Sequence, residues 1–327
     1  MRKESKKVIE MQSKIHSLIY PNQNGNQLFI MREDLLPFSL GGNKVRIGQE
    51  FFDDMTEQGC DCMLVYGNSR SNLCRVLANL CWTKGVPCFM ISSREENEER
   101  IETNNSRLMR WLGAEVIPCE KDQIAETVEE TMLRLRKQGY RPYYIYGSKF
   151  GTGNEGVPVG AYVKAYQEIC EYEAERGIHF DYIFFPSGTG ATQSGLVGGH
   201  LLRKDCRKII GVMISSREKE RAERIIWEGI ESYFQKNRLP LKSEDRAQIH
   251  LLDQYKAGGY GKYNQEILNQ IREEFCRNGI PMDPTYTGKA FWGMKNYLKE
   301  KEIRDSNILF IHTGGTPLFY DNLGNEG

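Results

Sequence analysis

The sequence predicts an α/β protein in which a mainly parallel sheet is covered by helices on both faces. Three observations carry the prediction. Short apolar runs alternate with longer amphipathic ones along the 327 residues, as repeated strand-helix units require. Most of the short runs are continuously apolar, which fits strands buried on both sides. Four of them also run into loops of Gly, Ser, Thr and Asn, and in such sheets ligands bind in the loops at the carboxyl ends of strands.

In chain order the strand candidates are QLFIMRE around Phe29, DCMLVYG around Leu64, VPCFMIS around Phe89, AEVIPC around Val116 and RPYYIYG around Ile145. They continue with DYIFFPSG around Phe184, KIIGVMIS around Val212, IHLLD around Leu251 and NILFIHTGG around Phe310. Between them, Ile124, Val128, Met132 and Leu135 recur at helical spacing and make one apolar stripe. Comparable runs follow Asn72, Asn105, Gly156, Gly190, Glu218, Asn264 and Lys289. The charged run SSREENEERIE from Ser92 reads as a solvated helix face. The length suits two domains of ordinary size or one large one.

Composition excludes several function classes. Lys plus Arg and Asp plus Glu both total 44, so there is no basic field to hold nucleic acid or an anionic membrane. The nine cysteines are scattered, and the nearest pair, Cys60 and Cys62, has neither the spacing nor the histidines of a zinc site. No metal is expected, and the thiols read as reduced in a cytosol. The N-terminal stretch MRKESKKVIEMQSKIHSLIY has no apolar core of signal-peptide length, and no run is long enough to span a membrane. A cytoplasmic protein without nucleic-acid or membrane partners is expected.

Two stretches carry chemistry. In MREDLLPFSLGGNKVRIGQ, Gly41 and Gly42 can take backbone angles closed to other residues, and Asn43 is positioned to cap the helix that follows. Lys44 then stands at a strand-to-helix corner, where the positive end of the helix favours a neutral amine. A pocketed, activated lysine is suited to a Schiff base with a carbonyl. In SGTGATQSG, Ser187 to Gly195, the glycines uncover main-chain amides, the threonines add hydroxyls, and a helix start points at the same place, as an anion seat requires. The loop lacks the lysine of a nucleoside-triphosphate loop, and Gln193 occupies the third glycine position of the dinucleotide fingerprint. Read alone, Ser71 and Asn72 are a helix cap, Tyr260 and Tyr286 are core-edge aromatics, and His312 is a satisfied core histidine.

Together these stretches resemble a known family. GGNK at Gly41–Lys44, SN at Ser71–Asn72, the loop Ser187–Gly195, GYG at Gly259–Gly261, DPTYTGKA at Asp283–Ala290 and ILFIHTGG at Ile308–Gly315 occur in one order. That order is similar to the pyridoxal-phosphate enzymes comprising D-cysteine desulfhydrase and 1-aminocyclopropane-1-carboxylate deaminase. The last two segments look closer to the desulfhydrase branch. The resemblance runs from about Leu28 to about Phe319. It implies fold type II (tryptophan-synthase-β-like), with two three-layer αβα domains and mainly parallel sheets. Residues 1–46 and 163–327 would form the large cofactor-binding domain and 47–162 the small one, with the active site between them.

The resemblance also implies roles. Lys44 would hold pyridoxal phosphate through a Schiff base and then act as the base at the substrate Cα. Ser187, Gly188, Thr189, Gly190, Ala191 and Thr192 would hold the phosphate, and Asn72 the 3′ oxygen. Ser71 would meet the substrate carboxylate and assist proton transfer, and Tyr260 and Tyr286 would flank the substrate. Thr313 and Gly314 would line the ring's surroundings. Thr287 would contact the ring nitrogen, where the deaminase branch carries glutamate. A hydroxyl leaves that ring neutral and a weaker electron sink, which favours rapid expulsion of a β group. The implied reaction is α,β-elimination from a small amino acid, giving pyruvate, ammonia and the expelled group, by a homodimer. A β-replacing synthase, a deaminase and a binding protein without turnover are the alternatives. The chain departs from the family at Arg70, Leu73, Lys149, Glu155 and Lys262. Arg70 and Lys149, with Ser71 and Asn72, are candidate substrate contacts, and these departures point to a substrate other than D-cysteine, larger or bearing a second anionic group.

Overall fold

The computed structural model describes residues 11–20, 24–93 and 102–323. Its elements in order are β1 (Lys14–Ser17), β2 (Gln27–Arg32), α1 (Asn43–Glu57), β3 (Cys62–Tyr66), α2 (Asn72–Lys84), β4 (Cys88–Ser93), α3 (Asn104–Trp111) and β5 (Glu115–Cys119). They continue with α4 (Ile124–Lys137), β6 (Pro142–Tyr144), α5 (Val159–Arg176), β7 (Tyr182–Ser187), α6 (Ala191–Arg203), β8 (Lys208–Met213) and α7 (Lys219–Lys236). Last come β9 (His250–Leu252), α8 (Gln265–Asn278), α9 (Thr287–Glu300), β10 (Asn307–His312) and α10 (Thr316–Asp321).

Two sheets result. One has the order β1-β2-β10-β7-β8-β9 and the other β5-β4-β3-β6. Every pairing is parallel except β1 with β2. The nine sequence-derived strands are all present, and their apolar runs are continuous because both faces of the larger sheet are buried. Leu28, Ile30, Phe184, Ile210, Ile308 and Phe310 pack with Ile267, Ile271, Phe291 and Met294 of α8 and α9. The alternate residues Phe29, Met31, Ile183, Phe185, Leu309 and Ile311 share a core with Tyr162 and Tyr166 of α5 and Leu196 and Val197 of α6. Period-two alternation therefore separates two cores rather than core from solvent.

The sequence reading missed β1. Its four residues KIHS are mostly exposed on the sheet edge, so they carry no apolar pattern. α9 begins at Thr287, two residues before the expected Lys289. The charged run after Ser93 lies largely outside the described residues. Among those described, no helix is long and apolar enough to cross a membrane.

The helix that opens after β7 is held hard against α5. A Cβ on Gly195 would lie 2.3 Å from Tyr162 Cβ and 2.6 Å from the Val159 carbonyl oxygen, and one on Gly199 would lie 2.5 Å from Tyr166 Cβ. Two glycines one turn apart thus let α6 seat on α5, which sets where its N-terminus points. Gly195→Ala overpacks this contact against main chain, and urea unfolding is expected to show a loss of about 1–3 kcal/mol.

Candidate active site

The carboxyl ends of β2, β10, β7 and β8 face those of β3, β4 and β6 across one cavity of about 290 Å³. After β2 the chain turns back through Gly41 and Gly42, at φ 66° and 98°. The Gly42 amide donates to the Glu33 carbonyl at 2.7 Å and the Asn43 amide to the Thr313 carbonyl at 3.0 Å. A Cβ on Gly314 would sit 2.6 Å from Gly42 Cα. The two glycine loops therefore pack main chain on main chain, and Lys44 enters the cavity from the first turn of α1. Two residues on, Arg46 turns the other way. It pairs with Glu33 at 3.0 Å and Glu168 at 2.6 Å, while the Tyr162 hydroxyl donates to Glu33 at 2.9 Å. Asn43 is not the expected cap. Gly42 occupies that position, and the Asn43 amide instead donates to Thr192 Oγ1 at 2.9 Å.

Lys44 has no carboxylate partner among the described residues, and burial alone lowers its pKa to about 8. Desolvation penalises the ammonium, and nothing nearby repays it. Among the described residues no Asp or Glu lines the cavity, and the cations that do are Lys44 and Arg217.

Beyond Lys44 lies the loop from Ser187. Gly190, at φ 97°, is the N-cap of α6, and no side chain caps the helix. Its first amides are left for an external acceptor. Because Asn43 donates to Thr192 Oγ1, the Thr192 hydroxyl keeps its own proton for a ligand. On the β8 side the Ser215 hydroxyl is buried with no partner, and Arg217 Nη1 donates to the Gly188 carbonyl at 3.3 Å.

The opposite wall begins at Ser71, which caps α2 by accepting from the Cys74 amide at 3.2 Å. Asn105 Nδ2 donates to Asn72 Oδ1 at 2.9 Å, so the Asn72 amide nitrogen remains a donor. Tyr260 and Tyr286 meet hydroxyl to hydroxyl at 2.8 Å, with rings edge to face. Burial, then the neighbouring Tyr260, holds the Tyr286 phenol well above its ordinary pKa, so the Tyr286 hydroxyl acts as a neutral hydrogen-bonding group. The loop bearing Tyr260 is fastened by fully buried Lys289, whose Nζ donates to the Gly259 carbonyl at 2.6 Å.

Of the residues singled out in the sequence, Lys44, Ser71, Asn72, Ser187, Gly188, Thr189, Gly190, Thr192, Tyr260, Tyr286, Thr313 and Gly314 line this cavity. Ala191 is the first residue of α6 and does not line it. Thr287 does not reach it either. Its hydroxyl donates to Asp283 Oδ1 at 2.9 Å and accepts from the Asp283 amide at 3.0 Å. Lys149 lies elsewhere, paired with Glu129 at 2.7 Å, and Arg70 sits outside the lining, near Gly261. The sequence reading passed over Asn43 as a hydrogen-bonding group, Tyr66, Asn68, Ser93, Tyr146, Ser215 and Arg217, all of which line the cavity. Ser215 and Arg217 carried a usable signal, since they directly follow a predicted parallel strand.

An uncapped helix start, spare hydroxyls and an unpaired amine form the donor set for a small molecule with a phosphate at one end and a carbonyl at the other. Pyridoxal phosphate fits that set. Fold and site thus define a carbonyl-cofactor enzyme of type II architecture. The model of the pyridoxal-phosphate dependent enzyme family matches residues 13–314, and the chain belongs to that family. It is 29% identical over 301 residues to a D-cysteine desulfhydrase of Klebsiella pneumoniae (strain 342), covering 90% of this chain and 89% of the relative. Identity to a D-cysteine desulfhydrase of Serratia proteamaculans (strain 568) is 30% over 301 residues, covering 90% and 88%. Among solved structures, an ACC deaminase homologue superposes with a TM-score of 0.82 at 26% identity, covering 96% of this chain and 92% of its own. O-ureido-L-serine synthase shares the fold at a TM-score of 0.67 and 13% identity, covering 97% of this chain and 95% of its own.

The two threonines can be told apart. Thr287→Val removes hydrogen bonds to a buried carboxylate and is expected to cost about 1–3 kcal/mol of apoprotein stability while leaving the cofactor's absorption maximum in place. Thr313→Val is expected to shift that maximum with a smaller loss of stability, as read by denaturant titration and absorption spectra.

Proposed function

We propose that the protein catalyses α,β-elimination on a small β-substituted amino acid, in the manner of a D-cysteine desulfhydrase, releasing pyruvate, ammonia and the β group. The observation that carries this reading is Lys44, an amine in the cavity with no acid beside it. Bound pyridoxal phosphate supplies a carbonyl for an imine link to an amine and an electron sink for the pair left at Cα. Lys44 is the residue that would hold that carbonyl, and its Nζ, when free, would take the proton from the substrate Cα. The Cβ–X bond then breaks with its electron pair leaving on X, and water converts the enamine product to pyruvate and ammonia.

Other residues orient and exclude. The α6 amides with Thr189 and Thr192 hold the phosphate, and the Asn72 amide, set by Asn105, donates to the ring oxygen. Ser71 faces the substrate carboxylate, and the Tyr260–Tyr286 pair can pass a proton to the departing group. Thr313 borders the cavity and Thr287 does not, so Thr313 rather than Thr287 is the residue that would meet the ring nitrogen.

The domain division proposed for this chain is residues 1–46 with 163–327, and 47–162. It is supported by the four-stranded sheet falling wholly within the second span. We place the protein in the cytosol, which nine unpaired thiols favour, and expect the homodimer that the family resemblance implies.

Borohydride reduction of the loaded protein is expected to fix the cofactor on Lys44. Lys44→Ala should show no reducible chromophore and a loss of pyruvate formation of at least about a thousandfold; a reducible chromophore in that variant would reject the assignment. The lowered pKa also has a sign that can be checked. The amine is neutral above about 8, so cofactor uptake by apoprotein should rise roughly tenfold between about pH 7 and pH 9 and then level off. An unshifted lysine would give about a hundredfold rise with no plateau.

A further inference from the structure

We propose that Arg217 is an oxyanion-binding residue of this cavity, supplying the full positive charge that the helix-start cradle lacks. Four observations lead there. Arg217 lines the cavity and is half-buried. It makes no ion pair among the described residues, and its charged neighbour is a second cation, Arg221, which with burial lowers its pKa. Among the described residues no carboxylate lines the cavity to neutralise it. A half-buried guanidinium left unpaired in this way is costly unless a ligand supplies the counter-charge.

Its placement says which part of a ligand it meets. β8 lies beside β7 in the parallel sheet, with Ser187 opposite Met213. The residues that leave β8 therefore emerge one strand spacing, about 4.8 Å, from the start of the anion loop. Arg217 Nη1 is already bonded to the Gly188 carbonyl of that loop at 3.3 Å, which holds the guanidinium against the loop. Lys44 follows β2, on the far side of β10 from β7. Arg217 thus stands at the phosphate end of the cavity, away from the amine. The buried Ser215 hydroxyl, without a partner, stands beside it on the same wall as an additional donor.

The recognised chemistry is an oxyanion with at least one full charge. The cofactor's phosphate is the source that this placement favours, and an acidic β-substituent of the substrate is the other. The phosphate arm is independent of the elimination reading, whereas the substrate arm rests on it.

Binding to apoprotein separates the sources without turnover. Pyridoxal phosphate, pyridoxal and inorganic phosphate would be titrated against wild type, Arg217→Gln and Arg217→Lys, with melting curves to establish that each variant is folded. Arg217→Gln is expected to weaken pyridoxal phosphate and inorganic phosphate by roughly tenfold or more, and pyridoxal by less than about threefold, as loss of a charge-assisted bond to one anion requires. Arg217→Lys should recover part of the loss. A second arm compares kcat/KM for O-phosphoserine and S-sulfocysteine with that for β-chloroalanine, using both enantiomers. A selective loss of at least about tenfold on the acidic substrates, with the phosphate ratios unmoved, would assign the oxyanion to the substrate. If neither the phosphate ratio nor the substrate ratio changes in Arg217→Gln, the proposal is overturned. Failure of wild type to release pyruvate from any substrate would count against the elimination reading alone.

Discussion

The site depends on one close approach, that of the glycine loop after β2 to the glycine loop after β10. The strands pair in parallel and in flush register, with Arg32 opposite His312, so both chains leave the sheet side by side. Gly42 and Gly314 then touch main chain to main chain. Cβ atoms at these positions would drive the loops apart, and Lys44 would no longer share a cavity with Thr313. Below the contact, Arg46 ties α1 to Glu33 before the loop and to Glu168 on α5. Buried pairs of this kind are costly to break from one side, about 3–5 kcal/mol. Lys44 is thereby held on a helix whose position two separate fastenings define.

A second organising group is Asp283. Fully buried, it accepts from the amides of Thr285, Tyr286 and Thr287 and from the Thr287 hydroxyl. Burial raises its pKa while those donors pull it down, so one carboxylate spreads its charge over the turn that presents Tyr286. A Cβ on Gly315 would lie 2.4 Å from Asp283 Oδ1, so the same carboxylate abuts the loop carrying Thr313. Lys289, four residues after Thr285, holds the Gly259 carbonyl beside Tyr260. The segment DPTYTGKA, which reads as a ligand-contacting motif, is mainly scaffolding that brings two tyrosines together.

The electrostatic character of the cavity follows from what is absent among its lining residues. With two cations and no carboxylate among the described lining residues, it favours anionic ligands. Burial at the same time lowers the pKa of its amine to about 8, so that part of the Lys44 population is neutral near physiological pH. These two properties do not conflict, because Lys44 loses charge by desolvation whereas the anion seat works through oriented amides and hydroxyls that need no net charge. Lys149, one of the departures that point to a charged substrate pocket, is paired with Glu129 at the surface. The cation that does reach the cavity is Arg217.

By itself the sequence determined the strand runs, their two-sided burial, the glycine loops, and the pairing of a reactive lysine with an anion seat, because period and loop chemistry are local properties of neighbouring residues. It left β1 unseen, since four exposed edge residues have no period to read. Which hydroxyls and cations face the ligand was decided by tertiary structure alone. Thr287 sits in a motif beside Tyr286, yet it points at Asp283, while Arg217 is far from every motif in sequence and meets Gly188 across adjacent strands. The direction of a side chain at a loop depends on the contacts that strand order and register create, such as that of Arg217 with a carbonyl 29 residues away, and a local pattern marks the loop without encoding that direction.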